Sequence, residues 1–220
     1  MNDTPIVSAP ESPRRRTLLS ARAFIVLAVA VALVAGTYLR IRGWSSKPTV
    51  AVVGDSITLF SGTDISTALG NGYDADIHAG IGRRIDEMLP TLEAVARAHP
   101  FAVAINLGSN DALQARTHPD WRTGVDRMLA LLTPGRCVLL TTINVRLPGP
   151  GSTSIVANNI NTALDEAARA HTNFHVVDWN AALRGKEATL LTVDQIHPSP
   201  AGQLTLAALT RTALVEHCHK

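Results

Sequence analysis

Two segments of this chain are apolar at nearly every position, Phe101 to Leu107 (FAVAINL) and Cys137 to Ile143 (CVLLTTI). A strand that exposes one face to water alternates apolar and polar residues, whereas a strand covered on both faces shows no such alternation. The two segments therefore predict central strands of a parallel sheet that carries a layer of helices on each face.

Further strand patterns alternate with helical patterns along the chain. This order predicts a doubly wound α/β fold in which a parallel sheet of about five strands lies between helices. Ligands of such folds bind beyond the carboxyl ends of the strands. The other predicted strands are Thr49 to Val53, Ala75 to His78 and Phe174 to Asp178. The predicted helices are Arg83 to His99, Asp120 to Leu132, Ile155 to Ala170 and Pro200 to Glu216.

The composition favours one substantial core. The chain has 220 residues, of which 46% are hydrophobic and 17% charged, and this suits a single globular domain. The first 47 residues hold seven of the 20 Lys and Arg and two of the 18 Asp and Glu, which leaves thirteen basic against sixteen acidic side chains. A mildly acidic body with 4% aromatic residues argues against a nucleic-acid partner.

An uncharged apolar run, residues 23–39 (AFIVLAVAVALVAGTYL), lies between arginines near the N-terminus. At about 1.5 Å per residue, its length is close to the roughly 30 Å of a bilayer core. It predicts a single-pass signal anchor after a basic cytoplasmic tail, residues 1–22, with a linker at residues 40–48 and a folded domain at 49–220. A cleaved signal peptide is the alternative, since AVA at 30–32 resembles a cleavage site.

The charges around this run predict its orientation. Slightly more positive charge precedes the run than follows it, which favours a cytoplasmic N-terminus and an extracytoplasmic domain. That compartment would allow Cys137 and Cys218 to pair. Because Cys137 opens an apolar strand, however, the sequence favours a buried free thiol at this position.

Small polar clusters follow the predicted strands at four places. They supply a serine hydroxyl, a glycine amide, a carboxamide, and a carboxylate three residues before an imidazole. An acyl-transfer site needs such groups as nucleophile, as oxyanion donors, and as a general base with its orienting acid. The clusters are Gly54-Asp55-Ser56, His78-Ala79-Gly80-Ile81-Gly82, Gly108-Ser109-Asn110-Asp111 and Asp194-Gln195-Ile196-His197-Pro198.

Each cluster also has a purely structural interpretation. Ser56 could cap the helix that follows it, and Asp111 could support the oxyanion loop or cap the next helix. Asp194 could cap a turn, with His197 as a solvated loop side chain. The combination of four such clusters at one predicted sheet edge favours the functional interpretation.

The four clusters, in this order, resemble the signature blocks of the SGNH (GDSL-like) hydrolase superfamily. The resemblance runs from about Thr49 to Gly202, nearly the whole predicted domain. It implies a flavodoxin-like three-layer α/β/α sandwich. It also implies a catalytic triad in which Ser56 is the nucleophile, His197 the base and Asp194 its orienting acid.

The same resemblance implies an oxyanion hole. Its donors would be the backbone amides of Ser56 and Gly80 and the side chain of Asn110. Gly82 is a competing candidate for the position of Gly80.

Neither a cofactor nor a metal is predicted. No G-x-G-x-x-G opens a helix, so the glycines are not a dinucleotide fingerprint. His171 and His175 straddle a helix end and a strand, so their spacing does not imply metal ligation.

The resemblance and the predicted anchor together indicate a membrane-anchored bacterial serine esterase that acts outside the cytoplasmic membrane on short acyl esters of envelope carbohydrate or lipid. An O-acyltransferase acting on envelope glycan is the alternative, since it would use the same serine acyl-enzyme and give the acyl group to a sugar hydroxyl. VDW (177–179) is similar to a segment of bacterial cell-wall O-acetyltransferases and, with TTINVR (141–146) after the fourth strand, favours envelope glycans as the substrate. A non-catalytic glycan-binding module is a third hypothesis. Within the loop at 144–153, Arg146 could meet an anionic substrate group.

Overall fold

The structure is a computed structural model, and it describes residues 47–134 and 137–219. Within these residues, five parallel strands form one sheet in the order β2-β1-β3-β4-β5. This arrangement confirms the predicted fold class. The strands are β1 (Thr49–Gly54), β2 (Asp74–Ala79), β3 (Ala102–Asn106), β4 (Val138–Thr141) and β5 (Phe174–Val177).

Helices follow the strands and cover both faces of the sheet. The longer ones are α1 (Ser56–Leu69), α2 (Ile85–Ala98), α4 (Trp121–Leu132), α5 (Gly151–Ala170) and α8 (Pro200–His217). The shorter ones are α3 (Ser109–Leu113), α6 (Trp179–Leu183) and α7 (Glu187–Leu190).

The core has one layer on each side of the sheet, because successive strand side chains point to opposite faces. On one face, Val53 and Ile105 pack among buried residues of α2, α4 and α5. On the other face, Val52 and Ala104 pack among buried residues of α1 and α8. Two buried faces explain why the central strands are apolar without alternation.

The strand register brings three of the polar clusters to one level. Gly54 at the end of β1 is aligned with Ala79 of β2 and with Asn106 of β3. The strand order reverses between β1 and β3, and such a reversal opens a crevice at the carboxyl edge of a doubly wound sheet.

Helix α1 has no counterpart among the predicted helices. Its buried face includes Ser56, Thr58, Ser61 and Gly62 beside apolar residues, so the helix lacks a continuous apolar stripe. A Cβ at Gly62 would lie 3.3 Å from a side-chain atom of Ile77, which shows how closely α1 approaches the sheet. Small residues permit this close packing and at the same time conceal the helical period.

The predicted tail and anchor, residues 1–22 and 23–39, lie outside the described residues. In the part of the chain that the structure describes, no helix is long and apolar enough to cross a membrane.

Cys137 and Cys218 form a disulfide, so the interpretation of Cys137 as a free thiol is wrong. Cys137 immediately precedes β4, and Cys218 follows the last residue of α8. Both are buried, with 5% and 4% of their surfaces exposed. The sequence could not reveal the pairing because it depends on α8 packing along the sheet until its end reaches the start of β4.

We expect the disulfide to contribute strongly to stability, because it closes a loop of 81 residues. In the chain-entropy model, such a loop corresponds to about 4.5 kcal/mol. Dithiothreitol should therefore lower the thermal unfolding midpoint of the wild type by several degrees. The variant in which both cysteines are serine should unfold at the lower temperature with or without reductant. Equal midpoints for wild type and double variant would contradict the expected contribution.

Candidate active site

The turn between β1 and α1 places Ser56 at the carboxyl edge of the sheet. A Cβ at Gly54 would fall 2.0 Å from Thr58 Oγ1 and 2.9 Å from the Asn106 carbonyl oxygen, so this close approach requires glycine. The Asp55 N–H then donates to the Asn106 carbonyl at 3.3 Å. Ser56 follows as the first residue of α1, with 5% of its surface exposed.

The N-cap of α1 is Asp55, not Ser56. Asp55 Oδ1 accepts a hydrogen bond from the Ile57 N–H at 2.9 Å, which satisfies one of the free donors of the first helical turn. The interpretation of Ser56 as the cap is therefore wrong. Its hydroxyl instead lies 2.9 Å from His197 Nε2.

His197 and Asp194 come from a loop between α7 and α8. His197 Nδ1 lies 2.7 Å from Asp194 Oδ2. The other carboxylate oxygen, Oδ1, accepts from Thr192 Oγ1 at 2.6 Å and from the N–H groups of Ile196 and His197 at 2.9 and 3.0 Å. The loop therefore turns around one carboxylate, which fixes the imidazole on its Nδ1 side.

The same contacts keep Asp194 ionised. Partial burial works to raise its pKa, but hydrogen bonds from His197, Thr192 and two backbone N–H groups hold the pKa of this carboxyl well below its usual range. A permanently charged carboxylate beside Nδ1 favours the tautomer in which Nε2 can accept a proton.

Asn110 reaches the site from the start of α3. Its Nδ2 donates to Asp55 Oδ2 at 3.1 Å. An amide nitrogen carries two hydrogens, so a second donor remains to be directed at a ligand oxygen. The turn before α3 depends on Gly108, which has a φ of +120° and where a Cβ would lie 3.2 Å from Ile160.

The two oxygens of Asp55 thus accept from two donors, the Ile57 N–H and the Asn110 amide. Asp55 is almost fully buried, with 1% of its surface exposed. Burial raises the pKa of Asp55 to about 7, against the lowering effect of its hydrogen bonds to Ile57 and Asn110 and of nearby His197. No feature of the sequence assigned this carboxylate a role. It links the start of α1 to the predicted oxyanion donor on α3.

Gly80 comes directly after β2 and so lies at the same edge of the sheet as Ser56. Gly82, the competing candidate, has a carbonyl that accepts from Gln114 Nε2 at 3.4 Å, which ties this residue to the end of α3. The position of Gly80 nearer the strand end favours its assignment as oxyanion donor.

Asp111, next to Asn110 in α3, binds the start of α2 and does not cap the helix after it. Its two oxygens accept from the Ile85 N–H at 3.3 and 3.1 Å, at the first residue of α2. Burial raises the pKa of Asp111 to about 6, partly offset by its backbone hydrogen bonds. This residue joins α3 to α2 and supports the edge of the site from behind.

Arg146 has a partner in the structure. Its Nε lies 2.5 Å from Glu187 Oε1 of α7. The guanidinium therefore fastens the loop after β4 to the segment that leads to His197. Its predicted contact with an anionic substrate stays a prediction.

Metal ligation finds no support among residues 47–134 and 137–219, where no group of three His, Cys, Asp or Glu side chains is placed to hold an ion. His175 instead stacks on His217, with ring centroids 4.5 Å apart.

The arrangement is suited to moving a proton from a hydroxyl. A continuous line of hydrogen bonds runs from Asp194 through His197 to Ser56 Oγ. The carboxamide of Asn110 lies beside Asp55, the residue before the hydroxyl. A hydroxyl, an imidazole and a carboxamide are thus brought together at the edge predicted from the sequence, as an acyl-transfer site would require.

Comparison with known proteins identifies related families and folds. Residues 52–204 match the GDSL-like lipase/acylhydrolase family. The C-terminal catalytic domain of peptidoglycan O-acetyltransferase A from Streptococcus pneumoniae is similar, with a TM-score of 0.66 and 20% identity over 79% of this chain and 96% of that domain.

Two further solved structures resemble this fold. An acetylxylan esterase from Geobacillus stearothermophilus has a TM-score of 0.59 and 20% identity over 80% of this chain and 96% of its own. A lipase from a goat rumen metagenome has a TM-score of 0.61 and 19% identity, covering 76% and 97% of the two chains. At these identities the likeness is one of fold. No curated protein matches the chain significantly.

Replacing Asp55 by Asn should impair turnover through Asn110. Asparagine has one side-chain acceptor oxygen where aspartate has two, so either the Ile57 or the Asn110 contact is lost. We expect kcat for ester hydrolysis to fall by about tenfold, less than the roughly 10²-fold to 10³-fold for Asn110→Ala. A double-mutant cycle on kcat should show strongly non-additive losses. Asp111→Asn, at a similarly buried carboxylate, is the matched control and should retain kcat. Additive losses in kcat would mean that Asp55 does not act through Asn110 and would contradict this prediction.

Proposed function

Since the chain belongs to the GDSL-like lipase/acylhydrolase family, we propose that it is a serine esterase with a triad of Ser56, His197 and Asp194. The observation that carries this proposal is the unbroken line of hydrogen bonds along the three side chains, 2.7 Å from carboxylate to imidazole and 2.9 Å from imidazole to hydroxyl. A merely capping serine and a merely solvated histidine would have no reason to meet across 141 residues of sequence.

In the first step, Ser56 Oγ attacks the ester carbonyl while His197 Nε2 accepts the hydroxyl proton. The negative charge that develops on the carbonyl oxygen is stabilised by the amides of Ser56 and Gly80 and by the second Nδ2 hydrogen of Asn110. Asp194 stabilises the imidazolium that forms and keeps it in place.

In the second step, the carbon–oxygen bond to the alcohol breaks and His197 gives its proton to the departing alcohol oxygen. The acyl group stays on Ser56 as an ester. Water then attacks this acyl-enzyme with His197 again as base, which releases the carboxylic acid and restores the hydroxyl.

We propose short acyl esters of envelope carbohydrate or lipid as substrates. The site lies at an open edge of the sheet, where the His197 and Asp194 side chains are 28% and 44% exposed, and this openness leaves room for a bulky alcohol. The solved structures of similar fold include an acetylxylan esterase and a peptidoglycan O-acetyltransferase, both of which handle acetyl groups on polysaccharide.

Acyl transfer to a glycan hydroxyl is the second candidate, and the likeness in fold to the catalytic domain of peptidoglycan O-acetyltransferase A supports it. The segment VDW (177–179), which is similar to a part of cell-wall O-acetyltransferases, meets the loop after β4 at the strand ends. Thr142 Oγ1 donates to Asp178 Oδ1 at 2.9 Å, and the Val145 N–H donates to Asn180 at 3.1 Å. The Asn144 amide also reaches the Gln195 carbonyl in the His197 loop at 3.5 Å.

We also propose that the protein is a membrane-anchored bacterial enzyme whose domain lies outside the cytoplasmic membrane. The apolar run at 23–39 supports the anchor, and the Cys137–Cys218 disulfide supports an oxidising compartment. Full-length protein should stay in the membrane fraction after washing with alkaline carbonate, and a mature form that begins after residue 32 would indicate a cleaved signal instead.

The full-length chain in detergent should release acetate from p-nitrophenyl acetate. Mass spectrometry of reactions with and without an N-acetylglucosamine oligosaccharide would compare hydrolysis with acetyl transfer at matched donor concentration. We expect free acetate as the main product, and none above background with Ser56→Ala of equal thermal stability. Acetylated oligosaccharide in excess of acetate would establish the transferase, and full activity in Ser56→Ala would place the nucleophile elsewhere.

A further inference from the structure

Exposed apolar side chains concentrate around the proposed site. Among the described residues, seven large apolar side chains are exposed, and four of these lie within four positions of Ser56, Gly80 or Asp194. The four are Leu59, Phe60, Ile81 and Val193. An apolar side chain that is exposed beside the site residues is available to contact a ligand.

Phe60 has the most specific geometry of the four. It follows Ser56 by four positions on α1, so the two side chains lie on the same face of the helix, one turn apart. Helical side chains lean towards the N-terminus, which directs the Phe60 ring towards Ser56. Its ring centroid is 5.1 Å from that of His197, with the planes at 69°. The residue is nevertheless 46% exposed, so part of the ring is free to contact a ligand.

The chemistry of the proposed triad decides which part of the ester meets this ring. His197 Nε2 must reach the alcohol oxygen to protonate it as the ester bond breaks. The carbonyl oxygen must instead point towards Gly80 and Asn110. The alcohol portion therefore lies on the His197 side of Ser56, where Phe60 packs against the imidazole.

We infer that Phe60 is the platform of the alcohol subsite and that it selects esters of a sugar ring. This inference rests on the proposed esterase function and adds the class of alcohol to it. A pyranose presents a face of C–H bonds that can pack on an aromatic ring while its hydroxyls stay in water. An alkyl alcohol on the same half-exposed ring would leave much of its apolar surface in water and gain less.

The test compares acetate esters that differ only in the alcohol. The full-length enzyme and its Phe60→Ala variant would be assayed on a monoacetylated methyl xyloside, on ethyl acetate and on dodecyl acetate. We expect Phe60→Ala to lower kcat/KM for the xyloside about tenfold, mainly through KM, and to change ethyl acetate less than twofold. Phe60→Trp should retain activity on the xyloside.

Val215→Ala is the matched control. Val215 is exposed to a similar extent, 49%, and lies three residues before Cys218, whose disulfide to Cys137 places it at the opposite end of the sheet from Ser56. This variant should leave all three substrates unchanged. Thermal unfolding midpoints would confirm that the variants are folded.

Two results would overturn the inference. Equal losses on the xyloside and on ethyl acetate would mean that Phe60 acts only by holding His197. A loss on dodecyl acetate without a loss on the xyloside would assign the subsite to an alkyl alcohol.

A binding measurement keeps the inference distinct from the proposed function. The Ser56→Ala variant allows binding to be measured without turnover. Calorimetry of this variant with the acetylated xyloside should give a Kd that the additional Phe60→Ala substitution raises about tenfold. If the wild type hydrolyses no ester but this difference is found, the esterase proposal fails and the sugar subsite stands. If Kd is the same with and without Phe60, the inferred sugar subsite is wrong, whether or not the wild type hydrolyses esters.

Discussion

The close approach of backbone at Gly54 is the constraint on which the site depends. A side chain at position 54 would not fit between Thr58 and the Asn106 carbonyl, because its Cβ would lie only 2.0 Å from Thr58 Oγ1. The turn that glycine permits aligns Asp55 with α1 as its N-cap and leaves Ser56 free to meet His197. Fold and site therefore share one residue, because the turn that ends β1 also directs the Ser56 hydroxyl towards His197.

Two carboxylates support the site through opposite environments. Asp55 is buried, and burial raises its pKa to about 7. Its two oxygens accept hydrogen bonds from the Ile57 N–H and the Asn110 amide and hold both groups in place. Asp194 is partly exposed, and its hydrogen bonds keep its pKa low and its charge permanent beside His197. The first holds the predicted oxyanion donor Asn110, and the second holds His197, the proposed base. The different surroundings explain why two residues of one type serve separate ends of the reaction.

The sequence predicts the sheet well because buried parallel strands leave a strong apolar pattern, and strand ends then bring the polar clusters together. It does not predict α1, whose small buried residues such as Ser61 and Gly62 hide the helical period. Long-range contacts are equally hidden. The Cys137–Cys218 bond, the Asp55–Asn110 link and the Phe60–His197 contact each depend on how separate elements pack, and the residues involved look ordinary in the sequence.

In the proposed mechanism the acyl group passes through Ser56. Rapid-quench mass spectrometry of proteolytic peptides, taken during turnover of p-nitrophenyl acetate, would detect this intermediate. We expect one acetyl group on the peptide that contains Ser56, appearing before steady state and disappearing when the donor is exhausted. Turnover with no acetylated peptide, or with the acetyl group on a different residue, would contradict it.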